Sequence, residues 1–160
     1  MRERSATAPQ GRAGAILKRR RVEPESLLLL VLGALQVANA LWMLLSPRAW
    51  YETLPAGVPD TGPLNVHFVR DIGCAFLASG LALIVAALSS RDRLRLACVG
   101  IASVFIVGHA AVHLWDLAQG ALSARHWLLD LPGVFVPALV LLAVLARLGP
   151  KAARAERRSP

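Results

Sequence analysis

The sequence predicts an all-α protein, a four-helix transmembrane bundle with both termini cytoplasmic. Three observations carry that reading. Of the 160 residues, 56% are hydrophobic and 18% charged, and the mean hydropathy is +0.53. A soluble domain is nearer about 45–50% apolar and about 25% charged. The excess is blocked into four runs, each near the ~20 residues that cross ~30 Å of hydrocarbon. Finally, four passes put all but three of the 18 Lys and Arg residues on one side of the membrane.

The first run, residues 26–45, is SLLLLVLGALQVANALWMLL. Its Val37-Ala38-Asn39-Ala40 has the form of a leader-peptidase site, whose use would remove the first helix. The apolar run nevertheless continues through Leu41 to Leu45 and the basic stretch before it is long, so the segment is kept as a helix. The second run is residues 66–88, the third 94–115 and the fourth 127–146. In lipid every backbone polar group must be satisfied internally, which makes runs of this length helices. Together they define a membrane domain at 26–148, between basic cytoplasmic tails at 1–25 and 149–160.

The first connection, residues 47–65, carries four prolines and begins PRAWYETL. That octet reads as a short interfacial helix with Trp50 and Tyr51 at headgroup level. The rest is too apolar and proline-rich for a loose linker, and we expect it to lie over the outer end as a lid. Ala34, Ala38, Ala75, Ser79 and Ala82, with Gly73 and Gly80 at heptad spacing, allow close helix approach. Cys74 and Cys98 belong to different depths and are not expected to form a disulfide.

Orientation follows from the cations. Only Arg48, Arg70 and Arg125 fall opposite the tails. The positive-inside rule therefore places both tails in the cytoplasm, and the expected location is the inner (plasma) membrane. The net charge of +8 is a consequence of topology, so nucleic acid is not an expected partner. The expected partners are the bilayer and a membrane protein or a second copy of this chain.

The polar residues collect at the outer end. In HAAVHLWD, His109, His113 and Asp116 fall within about 60° of one another at about 100° per residue, forming one stripe. His67, Arg70 and Asp71 form a second on the next helix, and His126 with Asp130 a third. Gln36 and Asn39, three apart on the first helix, complete the candidate network. Ionisable groups at such depth normally face the bundle interior and pair with one another. Arg70 is therefore expected to pair with Asp116 or Asp130, and Asp71 with His109 or His113. Asp130, just before Leu131-Pro132-Gly133, has an equal claim as a helix cap. Pro137 should kink the helix that follows.

Each stripe admits two kinds of role. The cluster holds helices together, or it binds something: a quinone, a proton, a metal or another small ligand. His109, His113 and Asp116 are the candidate metal ligands, with His67 or His126 as a further one. His67 and His109 on separate helices are the pair available to a haem. No cofactor is predicted, because the zinc-protease Glu is missing from the HxxxH pair and a histidine-box hydroxylase needs more histidines. Enzymatic activity is not expected either: Ser79, Ser89, Ser90 and Ser103 sit in apolar surroundings or at the cytoplasmic side, without a base arranged beside them.

The second run, HFVRDIGCAFLASGLAL, places an Arg near a helix start, then small residues, then an apolar stretch with Gly80. In a four-helix chain of this size it resembles the DoxX-like group of small bacterial membrane proteins, over roughly residues 27–146. That resemblance implies a four-helix bundle and, in some members, a link to quinone-coupled sulfur oxidation or redox-stress complexes. The expectation is thus an accessory or subunit membrane protein with a His/Arg/Asp cluster in its outer half. A binding site at that cluster, possessing a redox link, is the alternative.

Overall fold

The computed structural model describes residues 23–157. Helix α1 (Pro24–Leu45) starts on a proline, whose missing N–H is not needed in the first turn. After Ser46, a second proline starts the short helix α2 (Pro47–Thr53). A 3₁₀ turn at Val58–Thr61 leads to α3 (Val66–Leu88), capped by Asn65, whose side chain accepts from the Phe68 N–H at 3.1 Å. Helix α4 (Asp92–Ala118) returns, followed by a single turn, α5 (His126–Leu129). A π-helical turn at Leu131–Phe135 then feeds α6 (Val136–Arg157).

The four long helices alternate in direction. α1 packs on α3, α3 on α4 and α4 on α6. Both described termini therefore lie at one end of the bundle, here the tail end, where Lys151 comes within 3.9 Å of Glu25. The opposite, loop end carries α2, the 3₁₀ turn and α5. All four long elements are long and apolar enough to cross a membrane, the fourth over Leu131–Lys151. Their outward faces are apolar too: Leu35 is 63% exposed, Val104 79% and Leu139 64%. A helix apolar all round has to be solvated by something other than water.

Two cores hold the bundle. The larger joins Leu29, Leu83, Val99, Ala102, Leu141 and Leu148 from the four long helices and extends to Ala110 and Val134. The smaller lies towards the loop end, where Ala40, Met43, Val69 and Phe76 pack with Trp50 and Leu64. The seam between α1 and α3 is built on Gly33, Gly73 and Gly80, whereas the expected Ala34 and Ala38 of α1 are exposed. A Cβ added to Gly80 would stand 2.8 Å from the Gly33 carbonyl oxygen, and one added to Gly33 2.8 Å from that of Gly80. Backbone here meets backbone, which only glycine permits.

Most helix boundaries fall within about three residues of the expected ones, and two differ further. The fourth run does not begin as one helix at 127. Asp130 ends α5, and the wider π turn falls where the Pro137 ring would otherwise meet the carbonyl of Gly133. The expected kink is thus taken up as a π turn ahead of α6. At the other end α6 continues to Arg157, past the expected tail boundary at 149. Residues 1–22, with the basic run at 18–21, lie outside the described residues. Cys74 and Cys98 are free.

At the tail end the sequence understated Arg95, which had counted only as a positive-inside residue. It is 6% exposed, donates from Nη2 to Glu25 at 2.8 Å and has Nη1 3.7 Å from Glu23. Its Nε is buried without a partner among the described residues.

Candidate functional site

The loop-end site begins with the turn of α4 that carries His109 and His113. Their i, i+4 spacing brings the two rings to 4.6 Å in an edge-to-face arrangement. His109 points inward, edge-on to Phe76 at 5.6 Å and stacked on Phe105 at 5.8 Å. His113 points towards α5 and α6, where its Nδ1 lies 2.8 Å from Asp130 Oδ2.

Asp130 is the hinge of the arrangement. Its backbone carbonyl accepts from both Val134 and Phe135 at the start of the π turn. Its carboxylate makes no capping bond. Instead it turns into the bundle, 1% exposed, and its second oxygen lies 3.3 Å from His126 Nδ1. Of the two roles open to Asp130, network membership is the one realised.

His126 is fully buried, and its other nitrogen, Nε2, is 3.0 Å from Asp60 Oδ2 in the 3₁₀ turn of the first connection. Arg125 closes the outer side with an ion pair to the same Asp60 oxygen. The loop is shaped to lie here. Gly57, at φ 64, is in the left-handed region, and a Cβ on it would be 3.3 Å from the His126 ring. Tyr51 pins the same loop by donating to the Gly62 carbonyl at 2.8 Å. The residues after α2 thus cover His126.

The result is a continuous chain, His109–His113–Asp130–His126–Asp60–Arg125, running from the bundle interior to the exposed surface. Proton counting constrains it. A carboxylate only accepts, and a neutral imidazole has one N–H to donate. His126 faces a carboxylate oxygen on each side. Making both bonds requires one proton more than neutral imidazole supplies, on His126 or on a carboxyl. With that proton on His126, the charges of Asp130 and His126 cancel, as do those of Asp60 and Arg125.

Asp60 lies outside the long apolar helices, and its carboxyl is held below its ordinary value of 3.8, first by the Arg125 hydrogen bond and then by that from His126. A depressed carboxyl stabilises the fold above its unfolded pKa, and that contribution is lost as pH falls through the lower folded value. Closure of the loop should therefore be unchanged between about pH 7 and about pH 5 as far as Asp60 is concerned, and should weaken below about pH 4. Labelling of a cysteine introduced at Ala56, with Cys74 and Cys98 replaced by serine, would follow it. An Asp60→Asn variant should lose the acid-induced step; the same step in both would remove Asp60 from the latch.

The second stripe does not join. His67, Arg70 and Asp71 are all exposed on α3. His67 pairs with Asp71 along the helix at 3.3 Å, and Arg70 donates from Nε to the Leu44 carbonyl at 3.2 Å, at the end of α1. The expected pairing of Arg70 with Asp116 or Asp130, and of Asp71 with His109 or His113, is thus replaced. The register of α3 is set by Gly73, Phe76 and Gly80 facing inward, which turns its charged stripe outward near the helix end. Arg70→Ala should accordingly cost no more than about 1 kcal/mol in detergent unfolding, as for an exposed pair. A loss of several kcal/mol would return Arg70 to a buried network.

Asp116 also stands apart from these contacts. It occupies the last turn of α4, where its backbone carbonyl accepts from Ala121 and Leu122. Asn39 is committed to the first connection, accepting from Trp50 Nε1 at 2.8 Å, so this Trp is tied to α1. Gln36 is buried, 7% exposed, on α1. Among the described residues, no three His, Cys, Asp or Glu side chains form a group suited to a metal ion.

Sequence reasoning missed Asp60 and Arg125 as members. Asp60 sits in a loop with no helical period to align it with the stripes, yet its place in the proline-rich lid was a usable signal. Compared with family models, curated proteins and solved structures, the chain finds no match, and no kinship with the DoxX-like group emerges from them.

Proposed function

We propose that this is a non-catalytic multi-pass protein of a bacterial inner membrane, with both termini cytoplasmic, acting as an accessory or subunit protein. Its loop-end network is a clasp that holds one proton. A single observation carries the reading: His126, fully buried, bridges the carboxylates of Asp130 and Asp60. Ionisable groups at such positions are costly unless paired, and here each from His113 to Arg125 is bonded to the next. The bonds tie α4, α5 and the first connection together, which is what a clasp requires. Kinship with the DoxX-like group rests on the pattern at the start of α3 alone.

Of the ligands the cluster was expected to suit, the proton fits best. The facing oxygens and nitrogens are already at hydrogen-bond distance, so a larger ligand would have to part them. Nitrogen-15 NMR of the histidine-labelled protein in detergent tests this directly. One histidine, absent in His126→Gln, should have both ring nitrogens protonated, or infrared spectra should show one protonated carboxyl lost in Asp130→Asn. Four neutral histidines and no protonated carboxyl would sink the proton-holding reading. Metal content and the visible spectrum of the same sample test the alternative. A stoichiometric metal or haem that disappears in His109→Ala and His113→Ala would replace the clasp with a cofactor site.

A further inference from the structure

The tail end carries a second feature that the clasp does not use. α1 and α6 part there and leave a groove of about 230 Å³, walled by Pro24 and Leu28 on one side and Val140, Ala143 and Val144 on the other, with Arg147 at the rim. The α6 wall is a single stripe, because 140, 143/144 and 147 recur at helical spacing. Seven residues at 1.5 Å each make it about 10 Å long. It thus runs from the basic end of the bundle into the apolar belt.

The polarity is graded along that length. The deep part is methyl-lined and cations stand only at the rim. Glu25 shares the rim, but its carboxylate is already engaged by Arg95 at 2.8 Å and approached by Lys151 at 3.9 Å. Arg147 is exposed and has no ion-pair partner among the described residues. In the sequence, Lys18, Arg19, Arg20 and Arg21 stand within six residues of Pro24. The charged patch at the loop end offers no such excess: His67 and Asp71 pair, and Arg70 is bonded to a carbonyl.

We propose that the groove is a binding site for an anionic phospholipid, with one acyl chain between α1 and α6 and the headgroup phosphate at Arg147. The proposal rests on the reading of the four long helices as membrane-crossing. Under it, an apolar groove open to the bilayer takes a lipid chain, and the uncompensated guanidinium selects the headgroup through charge-assisted hydrogen bonds to phosphate oxygens.

The test uses the full chain, purified in mild detergent and equilibrated with equal amounts of phosphatidylglycerol and phosphatidylcholine of identical acyl chains. Retained lipid is counted by native mass spectrometry. The wild type should retain phosphatidylglycerol over phosphatidylcholine by about fivefold, the ratio expected for one cation near an anionic lipid. Arg147→Gln, on an exposed position, should bring the ratio to near parity with circular dichroism unchanged. Ala143→Phe, which fills the groove, should lower retention of both lipids. Equal retention by the wild type, or a preference that survives Arg147→Gln, overturns the proposal. Displacement of phosphatidylglycerol by millimolar inorganic phosphate would also overturn it, since the ligand would then be a free anion. A chain that stays monodisperse in water without detergent overturns the membrane reading instead, so the two failures are distinguishable.

Discussion

Asp130→Ala is expected to destabilise the protein by about 3–5 kcal/mol, the range for removing one partner of a buried charged pair. The carboxylate is 1% exposed and serves two imidazoles, His113 at 2.8 Å and His126 at 3.3 Å. Its removal leaves His113 without its carboxylate and the buried His126 with Asp60 as its one remaining carboxylate partner. A pure helix cap would lose only about 1 kcal/mol, so the magnitude separates the two roles. Asp130→Asn should fall between, because the amide oxygen still accepts one N–H while the charge is gone. Unfolding in detergent, followed by circular dichroism for the three proteins, gives the order. A loss in Asp130→Ala of less than about 1 kcal/mol would mean that the carboxylate is solvated or acts as a cap, and the clasp would fail with it. The single variants should not be additive with His113→Ala, since the three groups form one network.

Gly80→Val should produce the other large loss, about 3 kcal/mol or more, at the upper end of what overpacking costs. A Cβ at this position meets the Gly33 carbonyl oxygen at 2.8 Å and the Val37 backbone nitrogen at 2.9 Å. Neither atom can turn aside as a side chain would, so α1 and α3 must move apart along their shared core. Gly73→Ala should be milder, about 1 kcal/mol, since its new methyl would meet Met43 Cβ at 3.1 Å and Leu44 Cγ at 3.3 Å, contacts that a small shift of the helices relieves. Gly100→Ala supplies the control. Nothing lies within 4 Å of a Cβ there, and the gain in helix propensity, up to about 1 kcal/mol, is unopposed. Equal stability of Gly80→Val and Gly100→Ala would show that α1 and α3 do not touch backbone to backbone.

These two variants probe different kinds of information. Gly80 was legible from sequence as a small residue seven positions from Gly73, because close approach of helices needs the absence of side chains and leaves that absence in the sequence. The four long elements were legible for a similar reason: an apolar run near 20 residues satisfies a length that lipid imposes. The stripe of His109 and His113 also carried over, since i and i+4 face together on any α-helix.

What a helix faces is another matter. His67, Arg70 and Asp71 make as good a stripe as His109, His113 and Asp116, yet the first lies on the outside of α3 and the second yields only its two histidines to the network. Periodicity fixes the angle between residues on one helix but leaves free the rotation of that helix against its neighbours. Packing sets this rotation: the glycines and Phe76 of α3 turn inward, and the charged residues then have to face out.

The sequence by itself therefore determined the class, the four apolar helices, the α3 side of the small-residue seam and the end of the bundle where the polar residues gather, while Gly33 took the α1 side in place of Ala34 and Ala38. These depend on composition, length and local period, which are properties of the chain before it folds. Only the tertiary structure decided the members of the site. Asp60 comes to His126 across 66 positions, brought by a loop whose Gly57 allows the contact, and Asp130 is turned inward at the start of a π turn. Both depend on how separate segments are oriented against one another, and in a bundle that is decided by which faces pack, not by the pattern within any one helix.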